Sequence, residues 1–299
     1  MLRKLYKKLF LYTRSFFIEL VKKNHIVVNG YFEPIHHSPK ASRRLRNWGD
    51  AVNYYLIKEL SNKNIVDYKH SILSKIKKEN NFIFVGSIIT QLSNPKSIIW
   101  GSGVISDKME LNFKPEKVLA VRGPLTRNYL LKNNIPCPEV YGDPVLLMPK
   151  IYNPLKSIKY DLGIIPHHID ENNINLLRII NNSKIKVKII SLVTYPNWKS
   201  VIDDICECNF IVSSSLHGLI LADAYNIPNS WVSFSDNIFG NNFKFYDYYA
   251  SVEKEVSSFY VTKETTMDDI LNLKCKWTPI SIDLKPLIEA CPFKILIDN

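Results

Sequence analysis

Short, largely apolar runs that give way to helical periodicity narrow what this chain can fold into more than any other feature. Four such runs occupy 26–28, 82–87, 97–103 and 117–122, and three more occupy 160–166, 186–192 and 209–212. Helical periods lie among them at 51–60, 124–132, 174–181, 199–207 and 219–225. Strands that are apolar along their length rather than alternately are buried on both faces, which predicts parallel sheets covered by helices. The break at Tyr152-Asn153-Pro154 predicts a linker over 152–159. The resulting fold class is α/β, with two doubly wound, Rossmann-like domains at 25–152 and 160–280 facing each other across a cleft. A basic arm at 1–24 precedes them. Residues 281–299, with a helix near 284–290, form a tail that either stays apart or packs back on the N-terminal domain.

Composition supports this division. At roughly 150 residues per domain, 299 residues suit two domains. With 46% hydrophobic residues and only 10 glycines, the chain is neither disordered nor collagen-like. Its five cysteines form an odd set, and Cys206-x-Cys208 lacks zinc-site spacing, so the thiols read as reduced and buried. No run reaches the ~18 apolar residues of a spanning helix, and the N-terminus lacks signal-peptide features, so a cytoplasmic protein is expected.

The formal charge of +11 is concentrated at the start. Arg3, Lys4, Lys7, Lys8, Arg14, Lys22 and Lys23 stand against Glu19 alone, a net +6 within residues 1–23. Leu2, Leu5, Leu9, Phe16 and Leu20, flanked by Tyr6, Phe10 and Phe17, recur at helical spacing. Such a helix either lies on an anionic membrane surface or packs on the protein's own second domain with its lysines solvated. Nucleic acid is not an expected partner, because the aromatics follow a helical stripe and no binding motif accompanies them.

The small-residue turns at Gly86-Ser87, Gly101-Ser102-Gly103 and Ser213-Ser214-Ser215-Leu216-His217-Gly218 are either ordinary tight turns or the ligand-facing ends of strands. The last of these is the sharpest signal. It joins a strand to a helix and gathers hydroxyls, backbone N–H groups and an imidazole, which suits anion binding with proton transfer; the plain alternative is a serine cap beside a hydrogen-bonded His217. In 121–127, Arg122 ends a strand where it could clamp a carboxylate or phosphate, and Arg127 is either a second clamp or a solvated charge. Asp143, in Tyr141-Gly142-Asp143-Pro144, either faces the cleft or caps a helix. His167 and His168 close a strand. Side chains on extended backbone point apart, so one histidine reaching an anionic substrate is expected rather than a shared metal. In Asn47-Trp48-Gly49-Asp50, Asn47 or Asp50 is a candidate cap for the next helix. Nucleophilic serine chemistry, a P-loop and a dinucleotide fingerprint all lack their motifs.

Taken in order, Asn47-Trp48-Gly49-Asp50, Trp100-Gly101-Ser102-Gly103, Val121-Arg122-Gly123-Pro124-Leu125-Thr126, Gly142-Asp143-Pro144 and Ser213-Ser214-Ser215-Leu216-His217-Gly218 resemble the polysaccharide pyruvyl transferase family over about residues 45 to 235. The resemblance implies a fold like the GT-B glycosyltransferases. It also implies transfer of the enolpyruvyl unit of phosphoenolpyruvate onto two hydroxyls of a sugar, or of a lipid-linked oligosaccharide, with a pyruvate ketal formed and phosphate released. No separate cofactor is implied. Many relatives carry Arg where this chain has Ser215, so the anion-binding charge must come from Arg122 or a histidine. On this reading His217 and Ser213, Ser214 and Ser215 hold the phosphate, Arg122 the carboxylate, His217 moves a proton, and Asp50 is the candidate base for the sugar, with Asp143 in reserve. The competing readings are a GT-B glycosyltransferase with a nucleotide-sugar donor and a non-catalytic scaffold acting through the basic arm.

Overall fold

The computed structural model describes residues 2–21, 24–31, 47–236 and 239–296. These fall into two compact units, with 283–296 assigned to the first and the chain passing from first to second between Pro144 and Val145.

The sheet of the first unit contains β1 (His25–Val28), β2 (Asn64–Asp67), β3 (Asn81–Ile83), β4 (Ser97–Trp100) and β5 (Lys117–Ala120), all parallel, in the order β2-β1-β3-β4-β5. That of the second contains β6 (Leu162–Ile165), β7 (Val187–Ile189), β8 (Ile211–Ser213), β9 (Asn229–Ser233) and β10 (Phe259–Tyr260), again parallel, in the order β10-β9-β8-β6-β7. Each sheet starts in its interior, steps to one edge, then crosses back past its first strand. This is doubly wound topology, and the reversal falls between β1 and β3 in one sheet and between β6 and β8 in the other. All four residues of β6 and all three of β8 are buried, which is why they read as unbroken apolar runs.

Local chemistry starts the covering helices. Asn173 accepts from the N–H groups of Asn175 and Leu176 to begin Ile174–Asn181, and Asn197 and Ser200 form a reciprocal capping box for Trp198–Cys206. Leu176 and Ile179 then pack with Leu162, Ile164, Phe210, Val212 and Val232 in the core of the second unit.

Residues 152–159, expected as a linker, carry no regular structure but are tied into the second unit. The Tyr152 hydroxyl donates to Asp203 at 2.6 Å, the Lys156 ammonium donates to the Tyr225 carbonyl at 2.6 Å, and the Tyr225 hydroxyl donates to the Tyr152 carbonyl. The C-terminal segment closes the first unit instead. Its helix Lys285–Glu289 receives the Trp100 indole N–H at the Leu287 carbonyl (2.8 Å), Phe293 packs edge-on against Phe84, and the Leu296 N–H donates to the Leu60 carbonyl (2.8 Å).

The arm is a helix, Leu2–Val21, and it packs on the first unit rather than the second. Ile18 joins Val27 and Val66, while the Glu19 carboxylate accepts from the Ser71 hydroxyl, the Ser74 hydroxyl (2.5 Å) and the Ser74 N–H (3.0 Å).

Candidate active site

In open parallel sheets, ligands bind beyond the carboxyl ends of the strands, beside the point where strand order reverses. In the second unit that point is occupied by the turn after β6 and the corner after β8. The corner is locked by serine. The Ser213 hydroxyl donates to the Ile165 or Ser215 carbonyl (3.0 and 2.8 Å) and accepts the Ser215 N–H (3.0 Å). The Ser214 hydroxyl accepts the His167 N–H at 2.8 Å, tying the two turns together. Both hydroxyls are fully buried, so Ser213 and Ser214 set the shape of the corner and leave the outward positions to Ser215 and His217, each partly exposed.

The helix after the corner runs Leu216–Ala224, starting three residues earlier than its apolar pattern suggests, so His217 lies in its first turn. Ser215 occupies the cap position but makes no side-chain cap bond. The positive end of the helix therefore has no internal side-chain oxygen from its cap, an arrangement suited to an incoming anion. Gly218 permits this geometry, since a Cβ there would come 2.5 Å from Ser213 Oγ.

The histidine pair differs from expectation. β6 ends at Ile165 and a turn follows, in which the Asp170 N–H donates to the His167 carbonyl at 2.7 Å. The backbone is no longer extended there, and the rings of His167 and His168 lie 4.3 Å apart instead of pointing away from each other. Burial, followed by the positive charges of Lys244 and His168, pushes the His167 imidazole down from 6.5 to about 3. Its Nδ1 is buried without a hydrogen-bond partner among the described residues. Lys244, in the first turn of the helix Phe243–Ser251, thus adds a cation to this end of the sheet that the sequence pattern did not single out.

A stability consequence follows from His167. A base whose folded value lies below its unfolded value binds fewer protons when folded, so its contribution is complete above about 6.5 and is lost as pH falls toward about 3. His167→Gln is expected to flatten the loss of stability across that window, read from denaturant midpoints at a series of pH values; parallel profiles for the two proteins would contradict this.

In the first unit, the turns after β3, β4 and β5 interlock. The Gly103 N–H donates to the Gly86 carbonyl (2.9 Å), the Ser102 hydroxyl donates to the same carbonyl (2.7 Å), and the Arg122 N–H donates to the Ser102 carbonyl (3.0 Å). The Arg122 guanidinium is wholly buried, donating to Ser87 Oγ at 2.5 Å and the Val104 carbonyl at 3.0 Å. It lies so close over Gly103 that a Cβ there would meet Cζ at 2.5 Å. Gly101, Ser102 and Gly103 accordingly build the housing of a fixed positive charge. Arg127 has a different setting, donating to the Cys137 carbonyl (3.2 Å) and pairing with Glu139 (3.0 Å).

Gly101 also carries φ +85°, and a Cβ on it would approach the Pro144 ring to 2.3 Å. Neither backbone strain nor a rigid ring can relax easily, so Gly101→Ala is expected to cost about 2–4 kcal/mol, measured by denaturant unfolding. A change near zero would show that the turn is not built as described.

The helix Trp48–Ser61 brings Asp50 to this end of the sheet, while Asp143 lies in the turn before Pro144. Asn53 on that helix exchanges hydrogen bonds with the Val85 N–H and carbonyl (2.9 and 3.1 Å), just beyond β3, and also donates to the Asp50 carbonyl (3.2 Å). Asp50 is partly exposed in the first turn, and together with burial it holds the Tyr31 phenol above its ordinary range. Asp143 is fully buried, so Asp50 is the better placed of the two to meet a bulky acceptor.

An uncharacterized protein from Acanthamoeba polyphaga mimivirus is 29% identical over 222 residues, covering 72% of this chain and 75% of its own. A crystal structure of a functionally uncharacterized Klebsiella pneumoniae protein aligns with TM-score 0.42 and 14% identity, covering 84% of this chain and 97% of that one. The polysaccharide pyruvyl transferase model matches residues 47–237, a span that contains all of these turns. The chain belongs to the polysaccharide pyruvyl transferase family.

Proposed function

We propose that this protein is a cytoplasmic enzyme that transfers the enolpyruvyl unit of phosphoenolpyruvate to two hydroxyls of a sugar, in a surface polysaccharide or its lipid-linked precursor, forming a ketal and releasing phosphate. The observation that carries the reading is the β8 corner. An uncapped helix N-terminus, His217 and His168 lie at the carboxyl end of one sheet, and the Lys244 charge is felt at His167 there, which suits a small, multiply charged anion.

The chemistry assigns work to each group. Protonation of the methylene carbon makes the enol carbon electrophilic, and the first sugar hydroxyl adds there as it loses its proton. The carbon–oxygen bond to phosphate then breaks, the departing phosphate taking up the first hydroxyl's proton, and the second hydroxyl closes the ketal, its proton balancing the one taken up by carbon. A group that gives a proton and a base that removes one are both required. His217 fills the first role and Asp50 the second. Lys244 and the helix N-terminus hold the phosphate, supplying the charge that Ser215 lacks. Arg122 acts from within, as a buried cation that fixes the Ser87 and Val104 turns and favours the negative charge of the substrate.

The test is phosphate release by the purified chain given phosphoenolpyruvate and a panel of sugar acceptors. Release that needs both, with a ketal methyl signal in the product, is expected. Turnover with a nucleotide sugar and none with phosphoenolpyruvate would replace this reading with glycosyl transfer.

A further inference from the structure

The helix Leu2–Val21 presents two apolar faces, and among the described residues one packs into the body while the other is largely exposed. Leu11, Ser15, Ile18 and Glu19 are buried against the first unit. The side turned outward carries Tyr6, Leu9, Phe10, Phe17, Leu20 and Val21, between 43% and 77% exposed, with Phe16 on its edge. These positions share one side of the helix, recurring at three- and four-residue steps on either side of Thr13. It is the stripe that sequence periodicity identifies, and folding leaves it open.

Charge decides what covers it. Residues 1–23 carry a net +6, and their one acid, Glu19, is turned inward onto Ser71 and Ser74, so the outward face carries no carboxylate. A second copy of the chain docking here would bring two strongly positive arms together at a Coulombic cost, whereas an anionic surface is attracted by the same charge. Aromatic and leucine side chains flanked by lysine and arginine are the composition of helices that lie in the headgroup layer. No helix among the described residues is long and apolar enough to cross a membrane, so the geometry is that of a helix lying on the surface.

We propose that the outward face of Leu2–Val21 is a docking surface for an anionic lipid bilayer, holding the enzyme by an apolar stripe within a segment of net charge +6. The inference stands on this helix alone and does not depend on the reaction; soluble acceptors would still be turned over if it failed.

The test is co-sedimentation of the full chain with vesicles of neutral phosphatidylcholine and with vesicles containing about 30% phosphatidylglycerol. Binding to the anionic vesicles only, weakening as salt rises, is expected. Phe17→Ser combined with Leu20→Ser should lower it about tenfold or more with an unchanged melting curve, and Lys7→Glu combined with Lys8→Glu should do so through charge alone. Equal binding to neutral vesicles, binding to neither, or a concentration-dependent dimer that the double serine variant dissolves would each overturn the proposal.

Discussion

His217→Ala is expected to lower phosphate release from phosphoenolpyruvate by about 10²–10⁴-fold, the range by which a positioned acid or base accelerates a reaction. The size follows from placement. His217 sits in the first turn of Leu216–Ala224, partly exposed, beside hydroxyls that are wholly buried and engaged in holding the corner. It is the titratable side chain of that corner. It is only partly exposed and its Nε2 is buried, so the melting curve of the variant is read alongside, and lost activity counts at temperatures where the variant remains folded. His217→Gln separates two roles. Glutamine keeps a hydrogen-bonding group but cannot shuttle a proton, so a proton-transfer role predicts a loss in kcat with KM nearly kept. A loss confined to KM would make His217 a binding residue, and near wild-type turnover in the alanine variant would remove it from the reaction.

The second large effect is at Arg122. Arg122→Met would remove a buried cation and leave Ser87 Oγ and the Val104 carbonyl without their guanidinium donor. Stranding buried polar groups costs about 1–3 kcal/mol each, so a total of about 2–5 kcal/mol is expected, with a fall in Tm of roughly 5–15 °C. Arg122→Lys keeps the charge but cannot span both acceptors with the geometry of a planar fork. It should recover part of the stability and raise KM for phosphoenolpyruvate, while the methionine variant loses turnover at temperatures where it remains folded. An unmoved Tm for Arg122→Met would contradict the housing described for this residue. Unchanged kinetics in a folded Arg122→Lys would show that its charge does not reach the substrate.

The strands with unbroken apolar runs were legible in the sequence because double-sided burial writes itself into every position. Three strands were not. β2 has just Ile65 and Val66 between the polar Asn64 and Asp67, and it follows Asn62, whose φ of +50° turns the chain sharply out of the preceding helix. In β9 the sequence Asn229-Ser230-Trp231-Val232-Ser233 mixes polar and apolar side chains, so no run stands out, and β10 has just two residues. The Ser213–His217 corner could be read because its residues are contiguous. Lys244 could not be, since it reaches the His167 turn from a helix far along the chain and no local pattern marks it. The close histidine pair departs from the sequence expectation for a different reason: the strand ends at Ile165, two residues before His167, so extended backbone does not reach either histidine. For the arm, helix and stripe were both readable, but the docked face was not. Leu11 and Ile18 offer a second, sparser apolar side, and the partner that selects it, the Ser71 and Ser74 pair around Glu19, is remote in sequence.

Crystallographic determination of the complex with phosphoenolpyruvate tests the central claim most directly. Phosphate density against the N-terminus of Leu216–Ala224, within hydrogen-bond reach of His217 and beside Lys244, is the expected result. Density lodged instead in the 390 Å³ cavity near Lys254, Lys276 and Trp277, at the other end of β9, or an empty β8 corner at saturating ligand, would contradict it.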